Sequence, residues 1–379
     1  MKLAIARQAA FGALLAVERG AWSAEALAAK SEHLDSRDAG LASDIVFGVL
    51  RRRGELDALI GQYSKRPVER LDPAVRIALE MALYQIRFLD RVPAHAAVND
   101  AVELARRAGK TSASAFVNAV LRRAIREPGE APENLSTPAW LFDRWAAQYG
   151  ACAAKAIAHA SLNPAERFIR VGNATPPEGA EPTEVAGCFR LESGAAAGFR
   201  IQDIGSQAVV PLLDLAPGQT FLDLCAAPGN KTAQALDVPV KAIACDLHLS
   251  RARLLTVLGI PVVVLDAARP LPFARRFDRI LVDAPCSGTG TLARNPEIKW
   301  RLKPGDIADL QTRQLAILRN ALEYLAPGGL LVYSTCSLER EENEDVVAMS
   351  GARVVKTMQR LPGSNPGDGF FAAALRAAV

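Results

Sequence analysis

A helical first third followed by alternating strand and helix patterns predicts an α/β protein in three parts. These are an all-helical domain over residues 1–130, a linker with a small connecting subdomain over 131–201, and a parallel sheet wrapped by helices over 202–379. Three observations carry this. Ala, Leu and Arg recur at three- and four-residue spacing as far as residue 127. Short β-rich runs separated by helical stretches begin after Gln202. Each of those runs ends in a polar or reactive residue, where open parallel sheets hold their ligands.

In chain order, the periodicity predicts helices near 3–18, 38–60, 73–88, 94–108 and 112–126, with Asp72-Pro73 and Val92-Pro93 as helix starts. The stretch from Glu127 to Asn134 has the Pro, Gly and Glu content of a linker. Two more helices are expected around Trp140–Tyr149 and Ala151–Leu162. Residues 163–200 give a weak pattern: Phe168–Val171 reads as a strand and Ala174–Pro182 as a loop. Strands are then expected at Thr220–Cys225, Ala242–Cys245, Val262–Leu265, Arg279–Val282 and Leu330–Ser334, with helices over Ser206–Leu215 and Asp306–Leu325. Aromatics make up only 6% of the chain, so the core must rest on Leu, Val, Ile and Ala.

Residues 1–130 hold 20 Lys and Arg against 16 Asp and Glu, which accounts for the whole net charge of +4. Charge alone favours an ordinary basic surface over a polyanion-binding one. Lys2 precedes an apolar stretch, but Arg7 and Gln8 interrupt it and leave an amphipathic helix rather than a signal peptide. With no run long enough for a membrane span, a cytoplasmic protein without membrane contact is expected. The six cysteines lack metal-ligand spacing, so no metal is expected, and in a reducing compartment they are free thiols. A monomer is expected.

The segment Phe221 to Thr232 reads as strand, tight turn and helix start. A dinucleotide fingerprint is excluded because G-x-G-x-x-G is absent, and with it a nicotinamide dehydrogenase. A P-loop is excluded because Cys225 and Asn230 stand where glycine is required. A methyltransferase loop fits, with Cys225, Ala226, Ala227, Pro228, Gly229, Asn230 and Lys231 against the cofactor. Asp246, about 20 residues on, is placed to accept from both ribose hydroxyls of a nucleoside cofactor. Asp266 at the next strand end is placed to accept from an adenine amino group.

Asp283-Ala-Pro-Cys286 and Thr335-Cys336-Ser337 follow the fourth and fifth strands, with Glu342-Asn343-Glu344 shortly after. Two thiols and a carboxylate can therefore converge near the cofactor's methyl group. That set suits methylation at C5 of cytosine, a poor nucleophile until a thiolate adds at C6. An acid near N3, for which Asp283 is placed, would stabilise the adduct if protonated or sharing a proton. From the residues alone either cysteine can be the attacker. Cys152, Cys188 and Cys245 read as small buried hydrophobes.

The loop Cys225-Ala-Ala-Pro-Gly-Asn-Lys-Thr232, the upstream Gln202-Asp-Ile-Gly-Ser-Gln207 and both cysteine motifs resemble the Sun family of RNA 5-methylcytosine methyltransferases. The family's usual loop has Gly where this chain has Asn230, a residue that tolerates positive φ. The resemblance implies a Rossmann-like domain using S-adenosylmethionine. It also implies that Cys336 attacks while Cys286 assists product release. Arg294, Pro296, Lys299 and Trp300 sit where the family has a basic element that contacts RNA, and Asp368-Gly-Phe-Phe371 resembles its final strand. Ala6-Arg7, Gly48-Val-Leu-Arg-Arg-Arg53 and Asn118-Ala-Val-Leu-Arg-Arg123 resemble the NusB-like RNA-binding domain of the RsmB (Sun/Fmu) subgroup. A phosphate-contacting face of Arg51–Arg53, Arg106, Arg107, Lys110, Arg122, Arg123 and Arg126 is then expected. The substrate implied is a cytosine of 16S rRNA. The alternatives are the same chemistry on tRNA, or a non-catalytic RNA-binding factor.

Overall fold

The computed structural model describes residues 3–130, 136–192, 196 and 198–378, so part of the expected linker, residues 131–134, lies outside the described residues. The chain divides into two compact units. One comprises Met1–Arg144 with Ala158–Asn163 and Leu292–Arg301; the other comprises Trp145–Ile157, Pro164–Thr291 and Leu302–Val379.

The first unit is built on α1 (Ile5–Glu18), α2 (Ser23–Ser31), α3 (Ser36–Ser64), α4 (Pro73–Phe88), α5 (Ala94–Arg107) and α6 (Ser114–Arg126). Five of these answer the predicted periodicity. The short α2 went unpredicted because only Ser23 and Ala26 of its nine residues are buried, too few to repeat. Asp35 and Asp72 cap α3 and α4 by accepting from Asp38 N (2.8 Å) and Ala74 N (3.0 Å), and Pro73 opens α4 where its missing N–H costs nothing. Leu, Ile, Val and Ala fill the core. Inside it, Arg7 on α1 donates to Gln85 on α4 (2.5 Å) and to Asp100 on α5 (2.8 Å). This buried charge is therefore satisfied from two sides, as burial requires.

Helices α7 (Ala139–Tyr149) and α8 (Ala151–Ala160) follow. The segment that gave little pattern folds as an antiparallel sheet of β1 (Arg167–Arg170), β2 (Ala180–Pro182), β3 (Cys188–Leu191) and β4 (Arg200–Ile201), in the order β2-β3-β1-β4. The expected loop Ala174–Pro182 thus ends in an edge strand; Pro182 is tolerated there because an edge has a free N–H side.

The large sheet contains β5 (Thr220–Asp223), β6 (Lys241–Asp246), β7 (Val262–Val264), β8 (Phe277–Asp283), β9 (Leu325–Thr335), β10 (Arg353–Arg360) and β11 (Phe370–Arg376). Their order is β10-β11-β9-β8-β5-β6-β7. The five strands from β9 to β7 are parallel, but β11 runs antiparallel to both β9 and β10. The expectation of a parallel sheet is corrected there. Strand β9 is longer than predicted because its first half, Leu325-Ala-Pro-Gly-Gly329, carries turn residues that hide a strand; the β8–β9 register shifts at that point. Apolar clusters cover the sheet, one around Leu222, Ile280, Leu331 and Leu375 and one around Phe221, Leu281, Val332 and Ala372. The strand order reverses on either side of β5, and a ligand crevice is expected beyond the carboxyl end of that strand.

Candidate active site

Asp223 ends β5, fully buried, and its carboxylate accepts from Thr232 Oγ1 at 2.7 Å. Burial pushes its pKa up to about 7. The loop that follows turns at Gly229, whose φ is 103°, and helix α9 (Asn230–Ala235) begins at the next residue. The positive φ therefore belongs to Gly229, and Asn230 is an ordinary first residue of a helix. Asn230 is thus accommodated without the positive φ expected of it, and its Nδ2 donates to Ile201 O at 3.2 Å.

Beyond the ends of β5, β6 and β8 lies an open cleft of about 260 Å³ lined by Cys225, Ala227, Asp246, Asp266, Asp283, Cys286 and Cys336, among others. Asp246 accepts from His248 N (3.0 Å) and Ala227 N (3.3 Å), and Asp266 from Ala268 N (3.1 Å). Both carboxylates are thus held by backbone while still bordering the cleft. Leu247, Leu265, Ala267 and Ile317 supply apolar walls. Carboxylates that can take hydroxyl or amino hydrogens, between walls that can take a flat ring, fit an adenosine-containing cofactor. Ala226, Pro228, Gly229, Asn230 and Lys231 do not line the cleft. Lys231 instead places its ammonium 2.7 Å from Asp283 Oδ2 and over the ring of Phe370. Ser334 Oγ donates to the other Asp283 oxygen at 2.7 Å. The Lys231–Asp283 pairing joins residues far apart in sequence, and no local pattern announces it.

Cys286 Sγ and Cys336 Sγ are 3.4 Å apart. Cys286 is pushed well above the ordinary thiol range by its hydrogen bond with Cys336, then by burial, then by the negative charges of Cys336 and Glu342. Their loops are stitched together. Gly290 N donates to Cys336 O at 2.9 Å, and Leu338 N donates to Thr289 Oγ1 at 2.8 Å. A Cβ at Gly290 would lie 2.4 Å from Gly369 O and 2.8 Å from Cys336 O, so this approach requires glycine. Trp145 Nε1 donates to Glu339 at 3.0 Å and Tyr149 OH to Leu338 O at 2.5 Å, bracing the Cys336 loop from α7. Among the other cysteines, Cys188 and Cys245 are buried as expected, whereas Cys152 is exposed.

The basic residues placed on an RNA face are partly used elsewhere. Lys299 is buried, with Nζ donating to Arg51 O (2.9 Å) and Ser161 Oγ (3.4 Å). Trp300 Nε1 donates to Leu50 O at 2.6 Å, and Arg51 donates to Ala293 O at 2.8 Å. Arg53 pairs with Glu18 and with the buried Glu80. Segment 292–301 thus anchors to α3, and Lys299, Trp300, Arg51 and Arg53 serve packing rather than an open phosphate face. Arg106, Arg107, Lys110, Arg122 and Arg123 retain solvent exposure to varying degrees.

Burial, with Arg51 and Arg52 nearby, lowers the Lys299 pKa from 10.5 to about 7. The unfolded chain keeps that proton up to the ordinary value, so above the folded pKa it binds more protons than the native state, and stability rises with pH. Lys299→Met should remove this rise. The stability of the natural chain relative to the variant should increase by up to about 2 kcal/mol between pH 7 and 8.5, read from urea unfolding. A difference independent of pH would refute the assignment.

Among the described residues no group of His, Cys, Asp and Glu is arranged to hold a metal ion, and no helix is long and apolar enough to cross a membrane. The family profile described as 16S rRNA methyltransferase RsmB/F matches residues 210–354, and that of the NusB family matches residues 4–126. The chain is 33% identical over 362 residues to the probable ribosomal RNA small subunit methyltransferase B of Bacillus subtilis, covering 84% of this chain and 81% of that protein. It is 32% identical over 414 residues to ribosomal RNA small subunit methyltransferase B of Erwinia tasmaniensis, covering 95% of each. The crystal structure of PH0851 shares the fold, with a TM-score of 0.81 over 99% of each chain at 22% identity. With family profiles on both halves and relatives of this identity and coverage, the chain belongs to the RsmB family of ribosomal RNA methyltransferases, an all-helical NusB-type domain joined to a Rossmann-like methyltransferase domain.

Proposed function

We propose that this chain transfers a methyl group from S-adenosylmethionine to C5 of a cytosine in 16S rRNA through a covalent bond between Cys336 and C6. The observation that carries the reading is the pair of thiols at 3.4 Å in a cleft that also presents Asp246, Asp266 and Asp283. Asp246 and Asp266 would hold the ribose and adenine of the cofactor. Bound there, S-adenosylmethionine supplies an electrophilic methyl carbon. Cys336 adds to C6 and makes C5 nucleophilic. Asp283, with Lys231 as its proton-bearing partner, meets the base edge and stabilises the charge that builds at N3. Cys286 then assists release of the product. The target base must be exposed in a loop or flipped from its stack to enter.

The working division of labour is residues 1–130 for RNA binding, 131–201 as linker and connecting subdomain, and 202–379 for catalysis. The six free thiols suit a reducing cytoplasm, where the chain acts as a monomer. Bisulfite sequencing of RNA from cells lacking the protein should show one 16S cytosine losing protection, restored by the natural gene. Loss of protection in tRNA with 16S rRNA unchanged would move the same chemistry to a different substrate. Protein that binds RNA but not S-adenosylmethionine would refute the enzymatic reading.

A further inference from the structure

Glu342 sits on the short turn Arg340–Glu342 past the Cys336 loop and is fully buried. A buried carboxylate is costly unless its oxygens are bonded. Its donors come from both cysteine loops. Oε1 accepts from Ser287 N at 2.8 Å and from Gln314 Nε2 at 2.9 Å. Oε2 accepts from the hydroxyls of Ser287 and Ser337. Ser287 directly follows Cys286, and Ser337 directly follows Cys336. Gln314, on α10 (Pro304–Glu323), also donates to Pro285 O at 2.9 Å, just ahead of Cys286. Four donors fill an ionised carboxylate. None of the four carries a charge, so the bonds hold the carboxylate without neutralising it.

We propose that Glu342 is a positioning residue whose carboxylate clamps the two loops so that the sulfurs of Cys286 and Cys336 meet. The charge of the same carboxylate also favours the proton on Cys286, and the catalytic half of the inference rests on the covalent mechanism proposed above. The other groups facing Cys286 are Cys336 itself, Asp283 with its Lys231 partner, Cys225 and Arg313 at the cleft, and Tyr333, whose hydroxyl donates to Glu342 O at 2.6 Å. Lys231 and Ser334 already engage the charge of Asp283. Glu342 and Cys336 are the negative groups that bear on Cys286.

The test uses the full-length protein, alkylated with iodoacetamide over a pH series, with the Cys286 and Cys336 peptides quantified by mass spectrometry. Glu342→Gln occupies the same space. Its amide oxygen can take the two N–H donors, and the serine hydroxyls can rotate to accept from its NH2 group, so the clamp stays while the charge goes. Cys286 should then ionise at a lower pH and, at a fixed pH below its midpoint, alkylate about threefold faster or more. An unmoved Cys286 profile overturns the charge effect. Glu342→Ala removes clamp and charge, and kcat should fall about 100-fold with the KM for RNA unchanged. A kcat within about twofold of the natural enzyme overturns the clamp. If Glu342→Ala does not fold, Ser337→Ala replaces it, with kcat expected to fall about tenfold at constant KM and an unchanged kcat overturning the clamp. Alkylation needs neither RNA nor methyl donor. A shifted Cys286 profile in a chain that never methylates RNA would therefore overturn the methylation reading and leave the charge effect standing.

Discussion

Cys336→Ala is expected to lower methyl transfer to 16S rRNA by at least about 10³-fold, equivalent to roughly 4 kcal/mol of transition-state stabilisation. Without the thiolate, C5 of cytosine has too little electron density to take a methyl group, and no neighbouring group can replace the bond to C6. Cys286, 3.4 Å away, is the nearest substitute. Its sulfur stands 3.4 Å from the place where Cys336 Sγ would attack, too far off to take up the same bond to C6. The loop itself should keep its shape. Gly290 N bonds the backbone oxygen of residue 336, and Ser337 and Glu342 bond beyond it, so truncating the side chain removes none of these contacts. Cofactor affinity should therefore change by less than about twofold, because Asp246 and Asp266, the carboxylates proposed to hold the cofactor, are untouched. Incorporation of labelled methyl into rRNA, beside calorimetric binding of S-adenosylmethionine, measures both. Retention of a tenth or more of the activity would reject Cys336 as the attacker.

What could be read from the sequence was whatever repeats locally. Helices α1, α3, α4, α5 and α6 and strands β5, β6, β8 and β9 bury one face or a continuous run, and burial writes a period into the chain. The site was legible for a related reason. Reactive residues at successive strand ends fall together once the sheet is parallel, so Asp246, Asp266, Asp283, Cys286 and Cys336 could be grouped before any contact was known. Features that depend on a distant partner left no such trace. Strand β10 is exposed along nearly its whole length, so its sequence shows no buried face. Lys299 looks like a surface cation in sequence and is in fact enclosed by Arg51 O and Ser161. Glu342 is legible in sequence only as part of the Glu342-Asn343-Glu344 element after Cys336, and only the fold brings Ser287, Ser337 and Gln314 around it. Asn230 shows the opposite failure. Its residue type suits positive φ, yet the backbone uses positive φ one residue earlier, at Gly229.

Cys286→Ala should leave the first half of the reaction intact and arrest the second, so that enzyme accumulates on RNA as a complex that survives denaturing electrophoresis. The order follows from the charges on the two sulfurs. In the free enzyme, the hydrogen bond with Cys336 is the largest influence raising Cys286, and the negative charge of Cys336 adds to it. Once Cys336 is bonded to C6 its sulfur is a neutral thioether, and both influences vanish. Cys286 can then release its proton to solvent, yet burial and Glu342 keep its thiolate strongly basic. That thiolate takes the proton from C5, the electron pair restores the C5–C6 double bond, and Cys336 leaves as a thiolate. One proton reaches solvent per methyl transferred, as the substitution of methyl for hydrogen at C5 requires. Alanine at position 286 removes the base after the adduct has formed and the methyl has moved, so the intermediate persists. The trapped species should carry labelled methyl, should require both S-adenosylmethionine and Cys336, and should be absent from the Cys286→Ala, Cys336→Ala double variant. A trapped complex in Cys336→Ala with none in Cys286→Ala would exchange the two roles.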